Sequence, residues 1–394
     1  MSAQRPTRVL DLSVEPAGGY ATRLLAMYGT EVIKVESPDG DPARRRGPFP
    51  KDTPNPECSA LALFLDMNKK SITLNIRDAR GRALLDRLLE SSDVILESFA
   101  PSEAEHLGLV YAEMERRFPR LVLVSVTPFG KDGPYRDLES CPLVLEAMSG
   151  WLFQSGERGR EPTRTRGEML AAMVPGLFAA TGILAALRWR EQTGEGQLVE
   201  VSAMEAMLAA SRYFETTFAY RGTVLGSSST TFFRYRRTRD GWVAPAAATD
   251  SQRELLAHAM GLSEHLGDPA FKAPKQGEKP LTSELFRLLD QWYADHSKVE
   301  TFELLQSMRI PCGYVADSKE VLSSEQLRKR GAFTRVAHPV AGAFEYPGTP
   351  FPMSAAAYSA RRAPLLGEHN HEIFRGELGL DADELDRLHS AGVI

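Results

Sequence analysis

Strand-like apolar runs alternate with helix-length segments through the first 126 residues, and this alternation limits the folds open to the chain more than any other feature. The strand-like runs are 8–12, 31–36, 71–76, 93–97 and 121–126, with helical patterns at 20–28 and 79–90 between them. Gly29 suits the left-handed residue that ends the first helix. Strands separated by helices imply a mostly parallel sheet covered on both faces, an α/β fold. Ligands of such sheets bind beyond the carboxyl ends of the strands, which brings 13–19, 37–46 and 98–101 to one crevice. Gly18-Gly19 reads as a tight turn that could admit a phosphate. It lacks the Gly-x-Gly-x-x-Gly spacing, so nicotinamide binding has no support. Arg44-Arg45-Arg46 lies in a loop rich in proline and glycine; it reads as solvated surface, with one guanidinium able to reach a phosphate.

Farther along, 175–189 reads as an apolar helix whose Gly176, Ala179, Ala180, Gly182, Ala185 and Ala186 leave it thin enough for another backbone to pack closely. A Gly194-Glu195-Gly196-Gln197 turn, a strand at 198–202 and one long helix at 203–220 follow. Beyond a polar stretch, 234–243 reads as a hairpin about Asp240-Gly241. Helices at 251–260, 283–295 and 298–308 and a strand at 308–315 complete a smaller α+β domain. The expected organisation is a large domain from 1–205 plus 330–394, a linker at 206–231 and a small domain at 232–329. The 394 residues are ample for two domains. A formal charge of −5 provides no basic field for nucleic acid and no polybasic membrane signal. Three scattered cysteines form neither a disulfide framework nor a zinc site, which suits a reducing, cytoplasmic setting. No apolar run is expected to reach the roughly 20 residues that span a bilayer, and the N-terminus lacks a signal-peptide core.

The order Gly176-x-x-Ala179-Ala180-x-Gly182-Ile-Leu-Ala-Ala-Leu187, then Thr193-Gly-Glu-Gly-Gln197-x-Val199-x-Val201-Ser202, resembles the family III CoA-transferases, which include formyl-CoA and carnitine CoA-transferases. The resemblance runs along nearly the whole chain. It takes in the Val9-Leu-Asp-Leu12 strand, Leu24 to Glu36, Gly40-Asp41 with Arg44, Asn68 to Leu74 and Asp93 to Pro101. Later it includes Phe129-Gly130, Gly133-Pro134, Asp240-Gly241, Ile310-Pro311, His338-Pro339, Gly348 with Pro350, and Gly367-Glu368-His369. It implies a Rossmann-like large domain closed by the C-terminal tail, a small domain, and two interlocked chains with active sites near their interface.

In that family an aspartate four residues before the first glycine attacks an acyl-CoA thioester, forming a mixed anhydride through which CoA is exchanged. The position here is Ala172. A methyl group cannot form an anhydride, so the resemblance assigns this chain no catalytic residue. Glu168, the nearest carboxylate in sequence, is a weak candidate several residues out of place. Leu74, Arg77 and Phe99, with Arg44, match the family's CoA-contacting pattern. Ser37 and Ser98 stand where an arginine and an asparagine are usual, and His106 and Glu139 replace further basic positions. Each lost cation weakens the grip on CoA phosphates. The related α-methylacyl-CoA racemases use a histidine and an aspartate, which fall here at Cys141 and Ala172, so racemisation is not expected. Cys141 itself reads as a buried, inert thiol.

These features imply a subunit of a CoA-transferase that moves CoA between an acyl-CoA and a carboxylic acid. It resembles one chain of the two-chain, succinyl-CoA-dependent enzymes, supporting a homologous aspartate-bearing partner. No tightly bound cofactor or metal is expected; CoA and acyl-CoA are substrates, held mainly by the partner chain. A CoA-thioester enzyme using another residue, and a catalytically silent binding or scaffold protein, are the alternatives.

Overall fold

The computed structural model describes residues 5–156, 161–163, 169–211, 214–224, 234–266, 284–355, 358 and 360–394. The chain divides into two compact units, one of Met1–Ser155, Thr163–Val224 and Gly331–Ile394, the other of Gly156–Pro162 and Leu225–Arg330.

The larger unit is built on β1 (Arg8–Asp11), α1 (Pro16–Met27), β2 (Glu31–Glu36), α2 (Ala60–Leu65), β3 (Lys70–Thr73), α3 (Ala79–Glu90) and β4 (Val94–Glu97). It continues through α4 (Pro101–His106), α5 (Tyr111–Arg117), β5 (Val122–Thr127), α6 (Pro142–Met148), α7 (Trp151–Gln154), α8 (Leu170–Thr193), β6 (Leu198–Ser202), α9 (Ala203–Ala210) and α10 (Phe214–Arg221). The six strands form one sheet in the order β3-β2-β1-β4-β5-β6, and every neighbouring pair is parallel. Strand order reverses between β1 and β4, so a crevice opens above their carboxyl ends.

Side chains alternate across this sheet with the period of two that strands impose. Val9, Val32, Val94, Leu96, Val122 and Val124 face a core shared with α1 and α8. Leu10, Ile33, Ile72, Ile95 and Leu123 face the other way, onto Leu84, Leu85, Leu88 and Leu89 of α3. Ile373, Phe374, Leu388 and Ile394 from the chain's end complete that second layer. An antiparallel hairpin, β10 (Phe333–His338) with β11 (Gly342–Pro347), precedes this tail.

Three sequence expectations shift. The first helix begins at Pro16 rather than at residue 20, so Gly18-Gly19 is helical rather than a turn. A Cβ on Gly18 would come within 2.6 Å of Leu96 Cδ2, so this glycine serves helix-on-strand packing. The apolar helix spans Leu170–Thr193, with Pro175 inside it. It is long and apolar enough to cross a membrane by length and composition alone, which corrects the expectation that no apolar run reaches that length. In the fold it presents Ala171, Val174, Ala179, Ala180, Ile183 and Ala186 to the core. The expected single helix at 203–220 is two helices, α9 and α10.

The smaller unit is a three-stranded antiparallel sheet, β7 (Arg236–Thr238), β8 (Gly241–Pro245) and β9 (Cys312–Tyr314), in that order. It packs with α11 (Asp250–Ala259), α12 (Glu284–Asp295) and α13 (Lys298–Ser307) around Val243, Leu256, Leu289, Tyr293 and Leu305. Thr249 and Ser297 cap α11 and α13 with reciprocal capping boxes, which accounts for where those helices start.

Candidate active site

The carboxyl ends of β1 and β2 carry a buried charge network that shapes the crevice. Asp11 is fully buried and accepts from Ser13 N (3.0 Å), Ser13 Oγ (2.5 Å), Thr22 Oγ1 (2.6 Å) and Lys69 Nζ (2.9 Å). Burial alone would raise its pKa, but Lys34 and Lys69, helped by the two hydroxyls, hold it well below the usual carboxylate range. Lys34 is buried as well, pairs with Asp41 at 2.7 Å and donates to the Ser13 carbonyl. The β1–α1 loop is thereby tied to the loop after β2.

Arg44 belongs to this network rather than to a ligand surface. Its Nε and Nη2 donate to Glu36 at 2.6 and 2.8 Å, and its Nη1 donates to Glu57 at 3.0 Å. Only 4% of it is exposed. Arg44, expected as a CoA contact, has its fork committed to two carboxylates. Arg45 donates to the Asp39 carbonyl at 2.9 Å, and Arg46 stands at the rim of a cleft. Neighbours in sequence, the three arginines have separate roles.

That cleft, about 480 Å³, is bounded by Arg46, Gly47 and Pro48 of the loop after β2, by Ala60, Leu61 and Phe64 of α2, and by Met169 and Met173 at the start of α8. Ala172 lies between those methionines in sequence. It is half-buried against the core, and its N–H donates to the Met169 carbonyl at 3.2 Å. The position that the resemblance assigns to a nucleophile is therefore beside a cleft and bears a methyl group. Glu168 lies outside the described residues. Gly176, one turn further along, lets α8 settle onto α1: a Cβ there would sit 2.6 Å from the Ala17 carbonyl oxygen. Gly182 similarly accommodates Val199, whose Cγ1 would be 2.7 Å from an added Cβ. Packing within one chain accounts for the thin face of the helix.

The remaining sequence-predicted positions are scattered over strand ends, helix ends and loops of the larger unit. Leu74 and Phe99 are buried in the second core layer. Arg77 is exposed and paired with Glu103 of α4. Ser37 donates to the Gly40 carbonyl at 3.1 Å. Ser98 accepts from the backbone N–H groups of Val14 (3.0 Å) and Glu15 (3.2 Å), so its hydroxyl ties β4 to the start of α1 across the crevice. His106 Nδ1 bonds the Ser102 carbonyl at 2.6 Å, and Glu139 is exposed. Cys141 is exposed at the start of α6, which corrects the expectation of a buried thiol: Pro142 opens the helix and leaves its cap residue on the surface. Among the described residues no cluster of three or more His, Cys, Asp or Glu side chains could hold a metal ion.

Glu15, which the sequence did not single out, precedes the first turn of α1. It is exposed in area yet crowded by protein, and this crowding raises its pKa; Arg46 pulls it down and Asp41 adds to the rise. The available signal was its place directly before Pro16, at the end of the loop leaving the first strand.

A sequence model of CoA-transferase family III matches residues 6–370. The chain is 33% identical to formyl-CoA:oxalate CoA-transferase of Streptomyces avermitilis, with 98% of each chain covered. It is 34% identical to succinyl-CoA–D-citramalate CoA-transferase of Chloroflexus aurantiacus over the whole of both. It is 29% identical to succinyl-CoA:(R)-benzylsuccinate CoA-transferase subunit BbsE of Thauera aromatica, covering 98% of this chain and 97% of that one. Among solved structures, a CaiB/BaiF family protein from Brucella suis superposes with a TM-score of 0.83 at 26% identity, over 94% of this chain and 98% of that one.

Proposed function

The chain belongs to CoA-transferase family III, and from that premise we propose that it is the non-nucleophilic subunit of a two-chain enzyme moving CoA between an acyl-CoA, of the succinyl-CoA kind, and a carboxylic acid. Ala172 carries this reading: it lies between two cleft-lining methionines in sequence and bears only a methyl group, and the described lining contains no carboxylate. Acyl transfer through an anhydride requires a carboxylate whose adduct stays reactive, and a homologous aspartate-bearing chain would provide it. That a relative of 29% identity is named as one subunit of a CoA-transferase supports the same arrangement. CoA and its thioesters are then substrates rather than tightly bound cofactors. With Arg44 committed to its ion pairs, Arg77 is the proposed cation for CoA phosphate, beside Leu74 and Phe99.

A second reading rests on Glu15. Its carboxylate, at the start of α1 and stabilised as the anion by the Arg46 charge, replaces the missing aspartate in a self-sufficient chain. Assays of the chain alone, the chain with its aspartate-bearing homologue, and the pair carrying Glu15→Gln separate the two. A silent chain that gains turnover only when paired, and a Glu15→Gln pair that retains turnover, support the subunit role. Turnover by the chain alone that disappears with Glu15→Gln supports the second reading.

Installing Ala172→Asp in the chain alone should recover only a small fraction of the rate of an aspartate-bearing homologue, because Ser37, His106 and Glu139 still provide no cations for CoA. A rate within a few fold of that homologue would mean that the aspartate alone was missing.

The proposed assembly is an interlocked dimer with the aspartate-bearing chain. Along the outer side of α8, Leu177, Phe178, Leu184 and Trp189 are between 42% and 58% exposed. They recur at helical spacing as an apolar stripe of the kind that marks an interface. Interlocked chains bury far more than the roughly 1,600 Å² of a standard interface and have no stable monomer. Native mass spectrometry of the co-expressed pair should give a mixed dimer or a multiple of it; a folded monomer at micromolar concentration would contradict the arrangement.

A further inference from the structure

We infer that the cleft beside α8 takes a carboxylic acid with a single carboxylate and a bulky apolar body, aryl or branched alkyl. The walls explain the body. Leu61, Phe64, Met169 and Met173 are half-buried, with apolar surface turned to the opening. Phe64 is held in place, stacked on Tyr20 at 6.3 Å and 17°, with the Arg23 guanidinium 4.1 Å from its ring centre. A fixed aromatic wall opposite two adaptable thioethers suits a flat or branched hydrocarbon. The opening, about 480 Å³, falls in the range of small-molecule sites, and a two-carbon diacid would leave most of it to water.

The rim explains the single carboxylate. Arg46 is the cation in the described lining, and every other residue of that lining is apolar or glycine. One carboxylate can take a charge-assisted bond from Arg46. A second would meet the apolar wall of the described lining, where an unpaired charge is costly. This inference rests on the proposed CoA-transferase role only in expecting an acid, and it is tested by binding rather than by turnover.

Isothermal titration of the full-length chain, in the assembly in which it is purified, would use 4-phenylbutanoate, 4-phenylbutanamide, benzylsuccinate and oxalate. The phenylbutanoate should bind most tightly, with the amide weaker by roughly 10-fold to 100-fold, the range of a lost charge-assisted hydrogen bond. Oxalate and benzylsuccinate should each be weaker by roughly 10-fold or more on the same scale. Arg46→Gln should remove the difference between acid and amide, and Leu61→Asp should weaken both while circular dichroism and melting stay unchanged. Tighter binding of either diacid, or equal binding of acid and amide to the unaltered chain, would overturn the inference. No binding of the phenylbutanoate, in a pair that is active in CoA transfer, would overturn it too while leaving the subunit role standing. Binding as expected by a chain that proves self-sufficient would do the reverse.

Discussion

Glu36→Ala should lower the unfolding free energy by about 3–5 kcal/mol, the cost of leaving a buried guanidinium without its partner. Glu36 is 3% exposed, and it accepts from Arg44 Nε (2.6 Å), Arg44 Nη2 (2.8 Å) and Ser71 Oγ (2.7 Å). Arg44→Ala should cost a similar amount, and the double variant less than the sum, because one interaction is removed in both. Urea unfolding at fixed protein concentration measures all three; single-variant losses below about 1 kcal/mol would contradict a strongly coupled buried pair. The effect extends to the cleft, since the same loop carries Arg46, Gly47 and Pro48. The sign with pH follows from the direction of the shifts. Burial would raise Glu36, but Arg44 holds it below the usual carboxylate range, and Asp11 is likewise depressed. Their contribution is therefore complete above the unfolded-state carboxylate range and lost as pH falls from about 5 toward the folded values. Glu36→Ala should flatten that acid limb.

Gly196→Ala should be the more damaging of two alanine substitutions in the turn between α8 and β6. A Cβ at Gly196 would overlap the Leu121 carbonyl oxygen and come within 2.6 Å of Leu121 C and 2.8 Å of Arg120 C. These are backbone atoms of the segment leading into β5, so relief requires the β5–β6 pairing itself to shift. An overpacked site of this kind costs about 3 kcal/mol or more. Gly194 is different: it ends α8 at a φ of 83°, and the nearest atom to a Cβ there is the end of the Arg120 side chain, at 3.4 Å. Gly194→Ala should cost about 1–2 kcal/mol, the left-handed penalty alone. Thermal melts of the two variants should rank in that order; the reverse order would show that the turn, rather than the sheet contact, selects these glycines.

The parallel sheet was legible because β1, β4 and β5 centre on apolar runs, Val9-Leu10, Val94-Ile95-Leu96 and Val122-Leu123-Val124, the pattern of strands buried on both faces. Helix boundaries were less so. Pro175 reads as a first-turn proline, yet α8 starts at Leu170 and absorbs it, because Ala171 and Val174 bury against the same core as the residues beyond it. Gly18-Gly19 reads as a turn because sequence cannot reveal that Leu96 will press on that helix. In the site, the proposal that Ala172 holds the nucleophile position came from resemblance, while the commitment of Arg44 was not legible: Glu36 and Glu57 lie eight and thirteen residues from it, and only the fold brings both onto one guanidinium. Glu15 gains its interest from Arg46, thirty-one positions away, which is likewise information that only the folded loop contains.

The subunit role is tested most directly by locating the reactive carboxyl. The pair formed by this chain and its aspartate-bearing homologue would be incubated with succinyl-CoA, quenched in hydroxylamine and digested for peptide mass mapping. Where hydroxylamine attacks the enzyme's own carbonyl in an enzyme-bound anhydride or CoA thioester, it leaves a hydroxamate on that residue and releases the acyl carboxylate or CoA. The predicted result is a hydroxamate on the partner's aspartate and none on this chain, with the chain alone giving neither adduct nor turnover. A hydroxamate on any carboxyl of this chain, Glu15 foremost, would contradict the account.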